Sequence, residues 1–137
     1  MSYDLMVFEK TKVPKTKEAF LEWFSKQTEW TEDHDYQSIS VSSPALQGWF
    51  LEIKDTFPPM NGEYAPSMEQ LDQNPQLEIS MTDYSIGREM IYAAFAWSVA
   101  DDARELVVKL AQKHGVGFFD VSTDDCVVLL PDGTEIT

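Results

Sequence analysis

The chain has 137 residues, the usual size of one domain and long enough to bury a genuine core. Apolar residues make up 43%, with eight Phe, five Tyr and four Trp, which argues against a disordered polymer despite a formal charge of −14. That acidity works against nucleic acid and anionic membrane surfaces as partners, and the single cysteine, Cys126, leaves no disulfide framework or cysteine-rich metal site.

Residues 3–9 read as a first strand, in which Leu5, Met6, Val7 and Phe8 form a buried apolar run. Lys10, Lys12, Lys15 and Lys17 follow as a solvated connector. Over 15–28 the period becomes helical, with Ala19, Phe20, Trp23 and Phe24 on one side and Lys17, Glu18, Glu22 and Lys26 on the other. A second helix is predicted to start at Ser43 as N-cap, with Pro44 at its first position. Its stripe is Leu46, Trp49, Phe50, Ile53 and Phe57, and Pro58 and Pro59 end it.

Residues 58–81 hold four prolines and no basic residue, and are predicted to be a long proline-rich loop. Asn61-Gly62 marks a turn, and Ser67 with Gln70 would cap a short helix over 67–73. A short strand is predicted over 82–86, a turn at Gly87 and a buried strand over 89–97. Ser98 then opens a helix in a capping-box arrangement with Asp101. Val99, Ala103, Leu106, Val107 and Leu110 form its stripe, while Lys113, His114 and Gly115 suit its end. Residues 116–121 and 126–130 read as a hairpin, and 131–137 as a polar tail. The order implies a single α+β domain over 1–137: a four- or five-stranded mixed or antiparallel sheet with about three helices packed mainly on one face. The unit over 90–121 could instead set its two strands parallel across a right-handed crossover.

The acidity is concentrated in one stretch. Residues 27–87 carry eleven carboxylates against one cation, Lys54, whereas the rest of the chain holds thirteen acids against nine bases. A field of this kind governs association and partner choice rather than fold. The opening Met-Ser-Tyr-Asp-Leu lacks a basic segment followed by an apolar run, so no secretory signal is expected and the cytoplasm is the natural compartment. The longest nearly apolar run, 91–100, is too short to span a bilayer.

No residue set spells out a reaction, and the balance is against an enzyme. His34, between Asp33 and Asp35, reads as a solvated loop histidine rather than a general base or metal ligand. His114 reads as a helix-end cation. The carboxylates at 29–35 and 120–125 follow no recognised metal-ligand spacing, so neither a metal nor a cofactor is expected. No phosphate-binding glycine pattern occurs, and Ser85 lacks the first Gly of a nucleophile elbow. Cys126, in Cys-Val-Val-Leu-Leu, reads as a small buried hydrophobe.

What remains is a surface. Trp30 and Tyr36 flank Glu32, Asp33, His34 and Asp35, so Trp30, Glu32, Asp33, Asp35 and Tyr36 form a candidate contact face for a basic protein partner. Met60 and Tyr64 are a second, weaker patch. The alternative is a small enzyme or ligand-binding domain with a pocket between the sheet and the 58–81 loop, lined by Asp83, Tyr84, Arg88 and Trp97.

The wording Phe57-Pro58-Pro59-Met60-Asn61-Gly62, Thr82-Asp83-Tyr84-Ser85-Ile86-Gly87, IYAAFAWS over 91–98 and HGVGFFD over 114–120 resembles a family of small, largely uncharacterised bacterial proteins. These are packing and turn motifs, and the resemblance implies no functional residues. In size and charge alone the chain is similar to immunity proteins of bacterial toxin systems, which block a toxin by binding it. That similarity implies a toxin as the basic partner.

Overall fold

The computed structural model describes residues 2–137 and shows one α+β domain built on a five-stranded antiparallel sheet. The strands are β1 (Tyr3–Phe8), β2 (Asp83–Ile86), β3 (Met90–Phe95), β4 (Gly117–Asp120) and β5 (Val128–Leu129), in the order β2-β3-β1-β4-β5. The first strand is the central one. It pairs antiparallel with β3, Leu5 opposite Ala93, and with β4, Leu5 opposite Asp120. So β3 and β4 run parallel to each other but never touch, because β1 lies between them. The crossover expected over 90–121 therefore spans a strand, and the ladders between these five strands are all antiparallel, with a parallel bridge of Pro59 to Thr82 outside them.

Why β1 is almost wholly apolar follows from this position, since a central strand covered on both faces has no solvent side to alternate with. Leu5 and Val7 point to one face, and Met6 and Phe8 to the other. Helices α2 (Pro44–Ile53) and α5 (Ala100–His114) cover the first face through Leu46, Trp49, Ile53, Val107 and Leu110. Helix α1 (Lys17–Gln27) covers the second, where Phe20 meets Phe8 and Phe119 at 4.9 and 5.2 Å between ring centres. Two of the three long helices thus share a face, and the third lies opposite.

Local signals explain the helix starts. Ser43 accepts from the Leu46 N–H with Pro44 in the first position, and Thr16 accepts from the Ala19 N–H. Gly115, at φ +73°, closes α5 in the left-handed conformation that only glycine adopts freely. Helices α2 and α5 approach closely at Gly48, where any Cβ would come within 2.8 Å of the His114 ring. His114 instead bonds Glu52 at 2.9 Å, so it ties the two helices together as well as ending one.

Four expectations need correction. Ser98 does not cap α5: residues Trp97–Val99 wind as a tighter 3-10 turn and Val99 takes the N-cap place without a side-chain bond. The 58–81 segment is less of a loop than expected, because beyond the short helix expected near 67–73, which is α3 (Met68–Gln73), it holds a second one, α4 (Gln76–Ser80). Ser67 and Gln70 do form the reciprocal capping box expected of them. Residues 131–137 are not a free tail, since Ile136 is buried beneath α1's side of the sheet and its N–H donates to Val128 O. Cys126 lies in a turn at φ +49°, only partly buried, rather than in the strand interior.

No helix among the described residues is long and apolar enough to cross a membrane.

Candidate functional site

The acidic loop leaves the C-terminal end of α1 and returns to the edge strand β2. Two bulky residues bracket it in the left-handed region, Trp30 at φ +54° and Tyr36 at φ +60°. Neither is a residue type that adopts that conformation readily, so the surrounding bonds must hold it there. Those bonds are visible. The Glu32 N–H donates to the Tyr36 hydroxyl at 2.7 Å, and the Tyr36 N–H donates to His34 Nδ1 at 3.0 Å. His34 Nε2 then lies 2.6 Å from Glu32 Oε1, so the ring accepts through one nitrogen and donates through the other. Asp35 accepts from the Gln37 N–H at 3.0 Å, a local turn bond, and Tyr36 O accepts from the Ile86 N–H at 2.9 Å. The loop is thereby sewn to the sheet edge.

Arg88 completes the arrangement. Its backbone N–H donates to Glu32 Oε1 at 3.1 Å and its guanidinium to Asp33 Oδ1 at 2.6 Å. The guanidinium's hydrogen bond holds the Asp33 carboxyl below the ordinary carboxylate range, and Asp33 in turn pushes Arg88 up. Gly87 leaves room beside them, since a Cβ there would sit 3.2 Å from Glu32 Oε2 and from Met90 O and would push these neighbours back by a few tenths of an ångström.

The candidate face divides by role. Trp30 stands edge-on to Tyr36 at 5.2 Å and to Tyr92 at 6.0 Å, yet remains 39% exposed. Asp33 and Asp35 face solvent. Glu32 and Tyr36 are half-buried and serve as the frame that holds the other three. His34 is half-buried within the same frame rather than freely solvated.

The four residues of the alternative pocket do not converge. Tyr84 is buried, its hydroxyl donating to Phe57 O at 2.7 Å, and burial pushes its titration far up. Arg88 belongs to the acidic loop. Trp97 lies half-exposed against Tyr3, 5.1 Å between rings, and Asp83 lies exposed at the start of β2. Two of the four border separate concavities: Asp83 an open depression of about 470 Å³ between α4 and the ends of β2 and β3, and Tyr84 a cleft of only about 10 Å³ beneath Pro59, Asn61 and Tyr64. Tyr64 packs elsewhere, with Lys54 5.1 Å over its ring, whereas Met60 lines the depression.

The carboxyl groups whose titration is clearly displaced, Glu9, Asp33, Glu52 and Asp132, are all held low. None is a proton donor kept neutral for acid–base work. Among the described residues no group of three or more His, Cys, Asp or Glu side chains is disposed to hold a metal ion. The sequence spacing gave no sign of Arg88's part, since it acts on residues more than fifty positions away; the turn it shares with Gly87 was the one available cue.

Fold and site together define a small single-domain α+β protein presenting a hydrogen-bonded, acidic, aromatic-edged loop at the edge of its sheet. Compared with known proteins, the chain matches no family profile, no curated protein and no solved structure.

Proposed function

We propose that the chain is an acidic protein-binding module that engages a basic protein through the 30–36 loop. Its most concrete version is an immunity protein that neutralises a bacterial toxin by direct binding in the cytoplasm. The observation that carries the binding reading is the preorganised loop: an exposed indole and two solvent-facing carboxylates on a frame that is already hydrogen-bonded. Preorganisation lowers the ordering cost of association, and an aromatic anchor beside charge is the composition of an interface hot spot. The toxin and bacterial parts rest on likeness in size, charge and wording alone.

The enzyme or ligand-pocket alternative draws less support, because its four residues are dispersed and the concavity is open. The binding reading makes a direct demand on the surface. Tagged protein should retain one basic partner from a lysate of the source cell, identified by mass spectrometry, and lose it on Asp33→Lys with Asp35→Lys. Glu32 is left intact in that variant because it is part of the frame. Equal retention by both forms would mean the loop is not the contact face, and an empty lane for the wild type would point back to the pocket. The association rate should also fall as salt rises, since steering by exposed charge is screened within about 8 Å at physiological ionic strength.

A further inference from the structure

The charge of the segment is not spread evenly over cations that could neutralise it. On the 30–36 loop, Arg88 closes Asp33 and borders Glu32. From Asp55 to Gly87, by contrast, six carboxylates occur with no Lys or Arg between them, and apart from Asp55, which pairs with Lys54 at 3.1 Å, none meets a cation among the described residues. The depression lies in that second region. Met60, Ile79, Met81, Ala94 and Ala96 line it, and Glu78 and Asp83 stand at its margin. Met60 and Ile79 are 46% and 45% exposed, so two large apolar side chains remain in water at one spot. Trp97, half-exposed, stands on the turn Trp97–Val99 that packs against α4.

The fold explains why the spot is uncovered. Ala94 and Asp83 are paired across the β2–β3 ladder, on the face of the sheet that α1 covers near Tyr92 and Met6. Helix α1 meets that face through Phe24 and Phe20, toward the opposite end of β3. Helices α3 and α4 bury no residue fully, so they approach the edge without filling the gap.

We infer that this depression is a docking site for a cationic amphipathic segment of another protein, an apolar side chain entering between Met60, Ile79 and Ala94 while flanking Lys or Arg meet Glu78 and Asp83. The occupant follows from the chemistry of the rim. An acidic segment, or a second copy docking through this same face, would bring carboxylates against carboxylates, and a neutral apolar segment would leave the rim unanswered. The site lies at the open end of the β2–β3 hairpin, whereas the 30–36 loop lies at its turn, so the two surfaces are tested separately.

The probe is a synthetic helical peptide of leucine and lysine, with a leucine–glutamate peptide of the same pattern as control, followed through the protein's backbone amide resonances. Docking predicts shifts confined to the amides around residues 60, 79, 94 and 96 with the first peptide and none with the second. Met60→Glu and Ile79→Glu, at exposed positions that tolerate substitution, add attraction but remove the apolar anchor. Each should weaken binding roughly tenfold or more, the loss expected for one buried aliphatic side chain. Leu51→Glu, exposed on α2 away from the depression, should leave affinity intact or slightly tighter. Tighter binding by Met60→Glu would show that charge alone holds the peptide and would overturn the proposal. So would shifts centred on residues 30–36, shifts spread over the whole acidic surface, or no binding. Self-association of the chain that Ile79→Glu disperses would equally overturn it, by giving the depression to a second copy.

Discussion

Replacing Glu32 with alanine tests the frame of the acidic loop at its hub. One oxygen, Oε1, takes both the His34 Nε2 contact at 2.6 Å and the Arg88 N–H at 3.1 Å. Hydrogen bonds to a charged group are worth about 1.5–3 kcal/mol each, and at a site where the side chain keeps 19% exposure water replaces part of what is lost. Two bonds at the low end give about 3 kcal/mol. Tyr36 would then be free to leave φ +60°, recovering about 1 kcal/mol of backbone strain. A net loss of about 2 kcal/mol remains, and the loop buries too little apolar surface to spread that cost over the domain. The opening should therefore be local. The Ile86 amide, which donates to Tyr36 O, should exchange roughly thirtyfold faster, while the Met6 amide in the central strand keeps its protection. Glu32→Gln, which keeps an acceptor in place, should show a smaller change in the same direction. Unchanged exchange at Ile86 would refute the account of the frame; equal acceleration at Met6 would show that the loop is part of the global folding unit.

Three further outcomes follow from other parts of the molecule. Gly117→Ala would place a methyl group 2.2 Å from the buried Phe8 ring, so urea denaturation should show a loss of about 3 kcal/mol, against about 1 kcal/mol for Gly115→Ala, where φ is positive but the space is open. Arg104→Ala removes what is, among the described residues, the only side chain bonded to Asp120, whose carboxylate is buried and whose Oδ1 has no partner among them; a loss of about 3 kcal/mol is expected, and near-neutrality would mean that Asp120 is otherwise satisfied. For Asp33, the folded-state titration is depressed by Arg88, so its stabilising share is present above the ordinary carboxylate range and disappears as pH falls through the lower folded value. The small stability difference between wild type and Asp33→Asn should thus begin to shrink below about pH 4 and be gone only once pH is under the lower folded value; a difference undiminished at about pH 2 would contradict the pairing.

Much of the fold could be read from the sequence because its signals are local. The Ser43-Pro44 start, the α1 stripe and the Gly115 stop each fix an element through neighbours a few residues apart. The unbroken apolar run of β1 signals a strand covered on both faces, which is what a central position requires. Helix α3 was legible from the capping box of Ser67 and Gln70 alone, whereas α4 buries no stripe and starts at Pro75 without a side-chain cap, so neither periodicity nor capping announced it. Ile136 is a single apolar residue in a polar run, and its burial depends on pairing with β5 rather than on anything beside it. The candidate loop shows the same limit. Trp30, the carboxylates and Tyr36 are evident from composition, but the roles of Glu32 as frame and Asp33 and Asp35 as face depend on Arg88, which the chain brings back from the far side of three helices.

The two proposed surfaces bear on one another through distance. Strand β2 has four residues at about 3.3 Å each, so the depression at Asp83 and the loop contact at Ile86 are separated by roughly 10 Å along the strand. A standard protein interface of about 800 Å² per side is roughly 30 Å across, wide enough for one partner to cover both. A partner with its apolar anchor in the depression would carry its neighbouring cations past Asp83 toward the exposed carboxylates of the loop. Double-mutant analysis separates the cases. If one partner spans both places, Ile79→Glu and Asp35→Lys should each weaken the same complex, and their effects should add, because the two sites share no contact. If the surfaces serve different partners, each variant will affect one complex and leave the other unchanged. In that case Glu78 and Asp83, which have no ion-pair partner among the described residues, rather than the 30–36 loop, set the charge preference of the second partner.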